Sequence, residues 1–178
     1  MTLVVSTLVS LDGVVESPWQ WAMFDDAARE HSLDQLAAYD AFLLGRRTFD
    51  DLSRSWAPLS GDPYIDAINL MPKRIVTHHP EDLGWNSTAL TGDPIEAIAA
   101  LKEAGVRLIK YGVSDLDTDL IRGRLVDRYD FIYSPIAVGA GRRLFENVDT
   151  TGMRLLLTDS LNFPNGAVKL QYETTYTG

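Results

Sequence analysis

Residues 93–112 read Asp93-Pro94-Ile95-Glu96-Ala97-Ile98-Ala99-Ala100-Leu101-Lys102-Glu103-Ala104-Gly105-Val106-Arg107-Leu108-Ile109-Lys110-Tyr111-Gly112. Asp93 offers a side-chain oxygen to the first turn of a helix, Pro94 has the fixed φ suited to its first position, and Glu96 stands at the third. Ile95, Ile98 and Leu101 line one face, and Gly105 is the expected stop. Val106 to Tyr111 then reads as a strand that ends on Gly112. A helix followed directly by a strand is half of an α/β unit, and the same alternation extends in both directions.

Upstream, Leu3 to Leu11 is rich in Val, Leu and Thr and closes on Asp12-Gly13, which predicts a buried strand running into a loop. Ser17 to Trp21 is irregular around Pro18, and Phe24 to Ala38 turns helical. Ala41-Phe42-Leu43-Leu44 fits a central strand ended by Gly45, and a helix starts within Arg46 to Leu52 with Thr48 as its expected cap. A further helix covers Pro63 to Met71 with Asp62 as cap, and Lys73 to Thr77 is another strand. Downstream, Ser114 or Asp115 opens a helix through Leu120 and Ile121, and Phe131 to Val138 forms a strand before Gly139-Ala140-Gly141. Met153 to Asn162 and Val168 to Tyr176 are two extended runs joined through Asn165-Gly166, a strong hairpin signal. The expected fold is therefore α/β, a mostly parallel sheet with an antiparallel hairpin at its C-terminal end.

The 178 residues suit one domain, 1–178, and show neither a linker-like change of composition nor a repeat. With 46% hydrophobic and 23% charged residues the chain is of ordinary globular composition. Cysteine is absent, which excludes disulfides, thiolate metal sites and a cysteine nucleophile. A net charge of −9 without a long basic run argues against nucleic-acid binding. No apolar run reaches the roughly 18 residues of a membrane span, and the first residues lack the pattern of a secretory signal, so a cytoplasmic protein is expected.

In a mostly parallel sheet, ligands gather at the carboxyl ends of the strands. The first such end is Gly45-Arg46-Arg47-Thr48, which delivers two guanidinium groups and a hydroxyl to a helix start. Unpaired N–H groups and forked cations there suit an anion such as a phosphate. The chain up to Gly45 holds seven acids against one base, Arg29, so these cations break with what precedes them. Two solvated arginines are the plainer alternative. Tyr111-Gly112-Val113-Ser114 is a second strand–glycine–helix junction, where backbone can approach a pyrophosphate or can simply turn. Thr77-His78 marks a third. Adjacent histidines at 78 and 79 point apart on a strand and lack a third ligand, so polar contact to a ligand is favoured over a metal. For proton delivery the candidates are Asp12, Glu16, Asp25 and Asp26, of which Asp12 and Asp25 stand foremost, beside capping and turn roles for the same residues. Trp19 and Trp21 either cover a flat substrate or plug the core.

The ordered motifs Val9-Ser10-Leu11-Asp12-Gly13, Leu44-Gly45-Arg46-Arg47-Thr48-Phe49, Pro72-Lys73-Arg74-Ile75-Val76-Thr77, Lys110-Tyr111-Gly112, Leu125-Val126-Asp127 and Pro135-Ile136-Ala137-Val138-Gly139-Ala140-Gly141 carry a resemblance. Together the chain resembles the dihydrofolate-reductase-like superfamily, and more closely stand-alone relatives of the C-terminal reductase domain of the bifunctional riboflavin-biosynthesis deaminase–reductase. The resemblance implies a three-layer sandwich, NADPH as cofactor, a homodimer, and hydride transfer to a small heterocyclic substrate, pterin- or aminopyrimidine-like, as in 5-amino-6-(5-phosphoribosylamino)uracil reductases. It also implies that Gly45, Arg46, Arg47 and Thr48 hold the cofactor's 2′-phosphate and pyrophosphate. Thr77 and His78 would approach the adenosine end. Tyr111, Gly112, Val113 and Ser114 would wrap the pyrophosphate–nicotinamide side, and Leu8 and Ser10 would lie near the nicotinamide. The chain departs from relatives at Gly112-Val113, where dihydrofolate reductases carry two glycines, and at Arg128, where relatives carry glutamate. Since a fold does not determine a function, a nucleotide-binding module without turnover, or an oligomeric scaffold, is the alternative expectation.

Overall fold

In the computed structural model, described over residues 2–177, eight strands follow the order β4-β3-β2-β5-β1-β6-β8-β7. The residues gather into two compact units, one of Thr2 with Arg29–Lys110 and one of Leu3–Ala28 with residues 111–177.

In the first unit, β2 (Ala41–Gly45), β3 (Lys73–Val76), β4 (Ser87–Leu90) and β5 (Leu108–Tyr111) run parallel. Phe42 lies opposite Lys73 on one side and Ile109 on the other, and Ile75 lies opposite Ala89. Ala41, Phe42, Leu43 and Leu44 are all buried, as a strand covered on both faces must be. The unit also holds α2 (Arg46–Trp56), α3 (Pro63–Leu70), α4 (Pro94–Glu103) and all of α1 (Asp26–Leu36) beyond Ala28. The expected caps of α3 and α4 are present. Asp62 accepts the N–H of Tyr64 and Ile65 at 2.9 and 3.1 Å, and Asp93 accepts those of Ile95 and Glu96 at 2.8 and 3.1 Å. Residues 105–107 are not yet strand, because the helix end wraps first: Gly105 takes a φ of +92° while the N–H of Val106 returns to the carbonyl of Leu101. Lys73 is wholly buried. Its Nζ donates to the last carbonyls of α3, Ile68 at 2.6 Å and Asn69 at 3.0 Å, and lies 4.2 Å from the centre of the Trp85 ring. A cation is well placed at a helix C-terminus and over an indole face.

In the second unit, β1 (Leu3–Ser10) pairs in parallel with β6 (Arg128–Ser134), from Val4 opposite Arg128 to Ser10 opposite Ser134. The amide of Leu3 donates to Asp127 at 2.6 Å. Antiparallel β8 (Val168–Tyr176) pairs with β6, and β7 (Met153–Asn162) pairs with β8. The short α5 (Leu116–Arg122) completes the unit. Tyr129, Phe131, Phe145 and Tyr172 form an aromatic cluster, with Phe145 edge-on to Tyr129 at 5.3 Å and to Phe131 at 6.0 Å. Ala28, Ile132, Phe163 and Ala167 form a second cluster, against which Leu8 and Phe24 pack. Asp130, wholly buried on β6, pairs with Arg128 at 2.9 Å and with Lys169 of β8 at 3.2 Å.

Two expectations about the elements, the bounds of β6 and the cap of α2, are corrected. The strand expected over Phe131 to Val138 lies three residues earlier and stops at Ser134, before Pro135, which has no N–H to give the ladder. The expected hairpin does form through Asn165-Gly166, within a five-residue loop, 163–167, in which Asn165 accepts the N–H of Ala167 at 2.9 Å and Gly166 has φ +86°. Thr48 does not cap α2. Gly45, extended at φ −76° and ψ 157°, feeds the strand straight into the helix, so Thr48 falls inside the first turn.

Candidate functional site

The expected site residues fall in both units. In the first, β2 ends on Gly45 and α2 begins at the next residue, with no side chain capping its first turn. The two arginines there have different fates. Arg46 donates through Nε to both carboxylate oxygens of Asp50, at 2.9 and 3.1 Å. Its terminal nitrogen donates to the carbonyls of His79 at 2.6 Å and Glu81 at 3.3 Å. Arg46 thus ties the segment after β3 to the start of α2. Arg47 is exposed and has no hydrogen bond or ion pair among the described residues. Thr77 is buried and its hydroxyl accepts the N–H of His79 at 3.0 Å, closing a tight turn, while His78 is exposed. Among the described residues no group of three or more His, Asp or Glu could hold a metal ion.

In the second unit, the loop after β1 is latched to the loop after β6. Ser10 donates its hydroxyl to Asp12 at 2.6 Å and accepts the N–H of Val14 at 2.8 Å. Asp12 also accepts the N–H groups of Val138 at 3.0 Å and Gly139 at 2.7 Å. The Ser10 hydroxyl and these two amides hold the Asp12 carboxyl far below the usual carboxylate range. A carboxylate so held is a poor proton donor near neutrality, and its hydrogen bonds fasten a loop. The amides at 138–139, where the glycine turn begins, thus hold an internal anion, the Asp12 carboxylate. The same latch continues through Arg143, which donates to the Asp12 carbonyl, and Arg142, whose N–H donates to Glu16 at 3.0 Å. Asp25 accepts the N–H of Ala28 at 2.9 Å, which makes it a cap of α1. Ser10, buried and engaged on both sides, holds the loop and leaves no free hydroxyl.

The remaining expected residues stand as follows. Leu8 is half-buried and packs on the Ile132 cluster. Gly112 has φ +73°, a conformation in which a side chain is strained, and its N–H donates to Ser6 at 2.9 Å. Val113 is buried and its carbonyl accepts from Arg142. Ser114 is committed internally, its N–H bonded to the buried Asp117 at 2.8 Å. Tyr111 ends β5 at intermediate exposure. Trp19 is 77% exposed on a single helical turn at 18–20, and Trp21 donates its indole N–H to the Glu16 carbonyl at 2.9 Å. Neither tryptophan plugs the core. Arg142 and Glu16 were not read together from the sequence; an antiparallel bridge between Val14 and Arg143 brings their loops into contact across some 130 residues.

A mostly parallel sheet carrying an antiparallel C-terminal hairpin, with loops gathered at strand ends, is the dihydrofolate-reductase-like architecture. The chain belongs to the RibD C-terminal domain family, whose profile matches residues 1–169. Bacillus subtilis YyaP, described as an uncharacterized protein, is 24% identical over 180 residues, covering 96% of this chain and 93% of YyaP. A putative riboflavin biosynthesis protein from Shewanella sp. PV-4 superposes with a TM-score of 0.74 at 16% identity, covering 98% and 99% of the two chains. The Thermotoga maritima diaminohydroxyphosphoribosylaminopyrimidine deaminase/5-amino-6-(5-phosphoribosylamino)uracil reductase gives 0.69 at 15% identity, over 98% of this chain and 56% of that one. Enterococcus faecalis dihydrofolate reductase, solved with NADP(H), gives 0.61 at 14%, over 98% and 95%. The shared fold is that of RibD-type and dihydrofolate reductases.

Proposed function

We propose that the protein is an NADPH-dependent reductase acting on a small flat heterocycle of the pterin or aminopyrimidine class. The observation that carries the cofactor assignment is Arg47: an exposed guanidinium in the first turn of α2, without a partner among the described residues, beside a helix start that no side chain caps. A phosphate monoester finds there a forked cation and a positive helix end. Arg46 is the positioning residue of this pair, since Asp50 and the carbonyls after β3 already occupy it. NADPH, when bound, supplies the hydride. In the other unit, exposed Trp19 offers an aromatic face to a flat ring, and the backbone at Gly112 admits close approach. With Asp12 and Asp25 both engaged by backbone amides, water is the proton source in this reading.

The test is calorimetric titration with NADPH and NADH. Arg47→Ala is expected to weaken NADPH binding about tenfold to a hundredfold, as for a lost hydrogen bond to a charged group, and to leave NADH binding unchanged. Equal NADPH affinity in the variant and the wild type would overturn the phosphate assignment. The commitment of both carboxylates favours one second reading, a nucleotide-binding module without turnover. Substrate-dependent NADPH oxidation across a panel of pterins and aminopyrimidines separates the two.

A further inference from the structure

A polar cavity of about 200 Å³ opens in the second unit between the end of α5, the start of β7 and the end of β8. It lies at the end of the unit where β6 begins, opposite the loops that Asp12 latches. Arg124, in its lining, occupies an unusual place. α5 closes with the N–H of Arg124 returning to the carbonyl of Ile121 at 2.9 Å and that of Leu125 to Leu120 at 2.8 Å. In that closure Arg124 is left-handed, at φ +53°, where glycine is the usual occupant. Gly123 stands one residue earlier at φ −76°, a conformation open to any residue. An arginine kept at the position that favours glycine points to a use for its side chain. Helix-end electrostatics do not require it, because Arg122 already supplies a cation in the last turn. Among the described residues the Arg124 guanidinium makes one long hydrogen bond, to the Thr177 carbonyl at 3.4 Å, and no ion pair. Gly152, also in the lining, has an N–H with no partner among the described residues, while its carbonyl accepts the N–H of Thr177 at 2.8 Å. Thr177 therefore holds both donors to one wall. The other charges of the lining are committed. Arg122 pairs with Asp119, and Asp149 accepts the N–H of Thr151 at 2.9 Å. The Thr151 hydroxyl and N–H, with Arg122 nearby, hold the Asp149 carboxyl below its ordinary range.

We propose that this cavity binds a phosphate group, held by the Arg124 guanidinium and the Gly152 amide. Two unanswered donors in one polar cavity call for an acceptor. A tetrahedral oxyanion takes a forked guanidinium and an amide from different directions, whereas the fork alone occupies both oxygens of a planar carboxylate. The inference is independent of the cofactor assignment, which rests on Arg47 in the first unit.

The test is calorimetric titration of the full chain with inorganic phosphate and, separately, with acetate, at pH 7 and fixed ionic strength. It is run on R47A and on R47A/R124G, so that the start of α2 is weakened equally in both. R47A is expected to bind phosphate. R47A/R124G is expected to bind it at least about tenfold more weakly, as for a lost hydrogen bond to a charged group. R124G alone is expected to melt in chloride no lower than the wild type, because glycine suits φ +53°. No phosphate binding to R47A, equal binding by R47A/R124G, or acetate bound as tightly as phosphate would each overturn the proposal. So would an R124G variant that melts well below the wild type in chloride, since Arg124 would then be serving the fold. NADPH titration of wild type and R47A reads the cofactor assignment separately.

Discussion

The Asp12 carboxylate and the Gly139 amide lie 2.7 Å apart across 127 positions of sequence, and this bond fastens the loop after β1 to the loop after β6. Its strength depends on Asp12 remaining ionised. The folded-state pKa lies below the ordinary value of 3.8, so the stabilisation is complete above about pH 4 and is lost as pH falls through the depressed value. Asp12→Asn removes an acceptor and the charge together. Its melting temperature is expected below that of the wild type at pH 7, with the gap narrowing towards pH 2. A gap independent of pH would show that the carboxylate's charge is not what holds the loop.

Gly141 and Gly139 separate strain from crowding. Both have positive φ, at +121° and +87°. A Cβ at Gly141 would meet Val14 Cγ1 at 2.9 Å and Glu16 Oε2 at 3.1 Å, whereas one at Gly139 would meet nothing within 4 Å. Gly139→Ala is expected to cost about 1–2 kcal/mol from backbone conformation alone. Gly141→Ala adds displacement of the Val14 and Glu16 side chains and is expected to cost more, which chemical denaturation of the two variants measures.

Burial pushes Lys73 down to about 8 from 10.5. Between those values the unfolded chain holds the proton that the folded chain has lost, so stability attributable to Lys73 rises with pH across this window. Below about pH 8 the ammonium is charged in both states and donates to Ile68 and Asn69. Lys73→Met keeps the stem and loses those donors. It is expected to destabilise by about 1–3 kcal/mol at pH 7, from two carbonyls left short of a donor, and to remove the rise between pH 8 and 10.5. Denaturant midpoints at pH 7, 8.5 and 10 measure both effects.

Local signals located most of the fold. The Asp62-Pro63 and Asp93-Pro94 helix starts are local chemistry, and both caps are present. The hairpin strands have the expected bounds because two long extended runs around a turn leave little choice. β4, Ser87–Leu90, was missed: four residues with a single leucine carry almost no pattern, and pairing with β3 makes them a strand. The loop chemistry was legible in residue type but not in partnership. Asp12, Asp25, Ser10 and Ser114 are polar residues at strand ends, as a ligand site requires, yet each is held by an internal hydrogen bond. For Asp12 that bond comes from a loop more than a hundred residues away. Arg46 and Arg47 are adjacent and alike in sequence, and only the path of the chain after β3 distinguishes the occupied guanidinium from the free one.

The register of β1 with β6 also sets an order of events during synthesis. Leu3 to Ser10 are made about 124 positions before their partners at 128–134. At roughly 5–20 residues per second, a growing chain carries β1 without that partner for about 6–25 s. Throughout that interval Leu3, Val4, Val5 and Val9 lack the neighbouring strand beside which they end up buried. Closure of the second unit is therefore a late step, and a nascent chain released before Ser134 presents an apolar strand of the kind that holding chaperones take up.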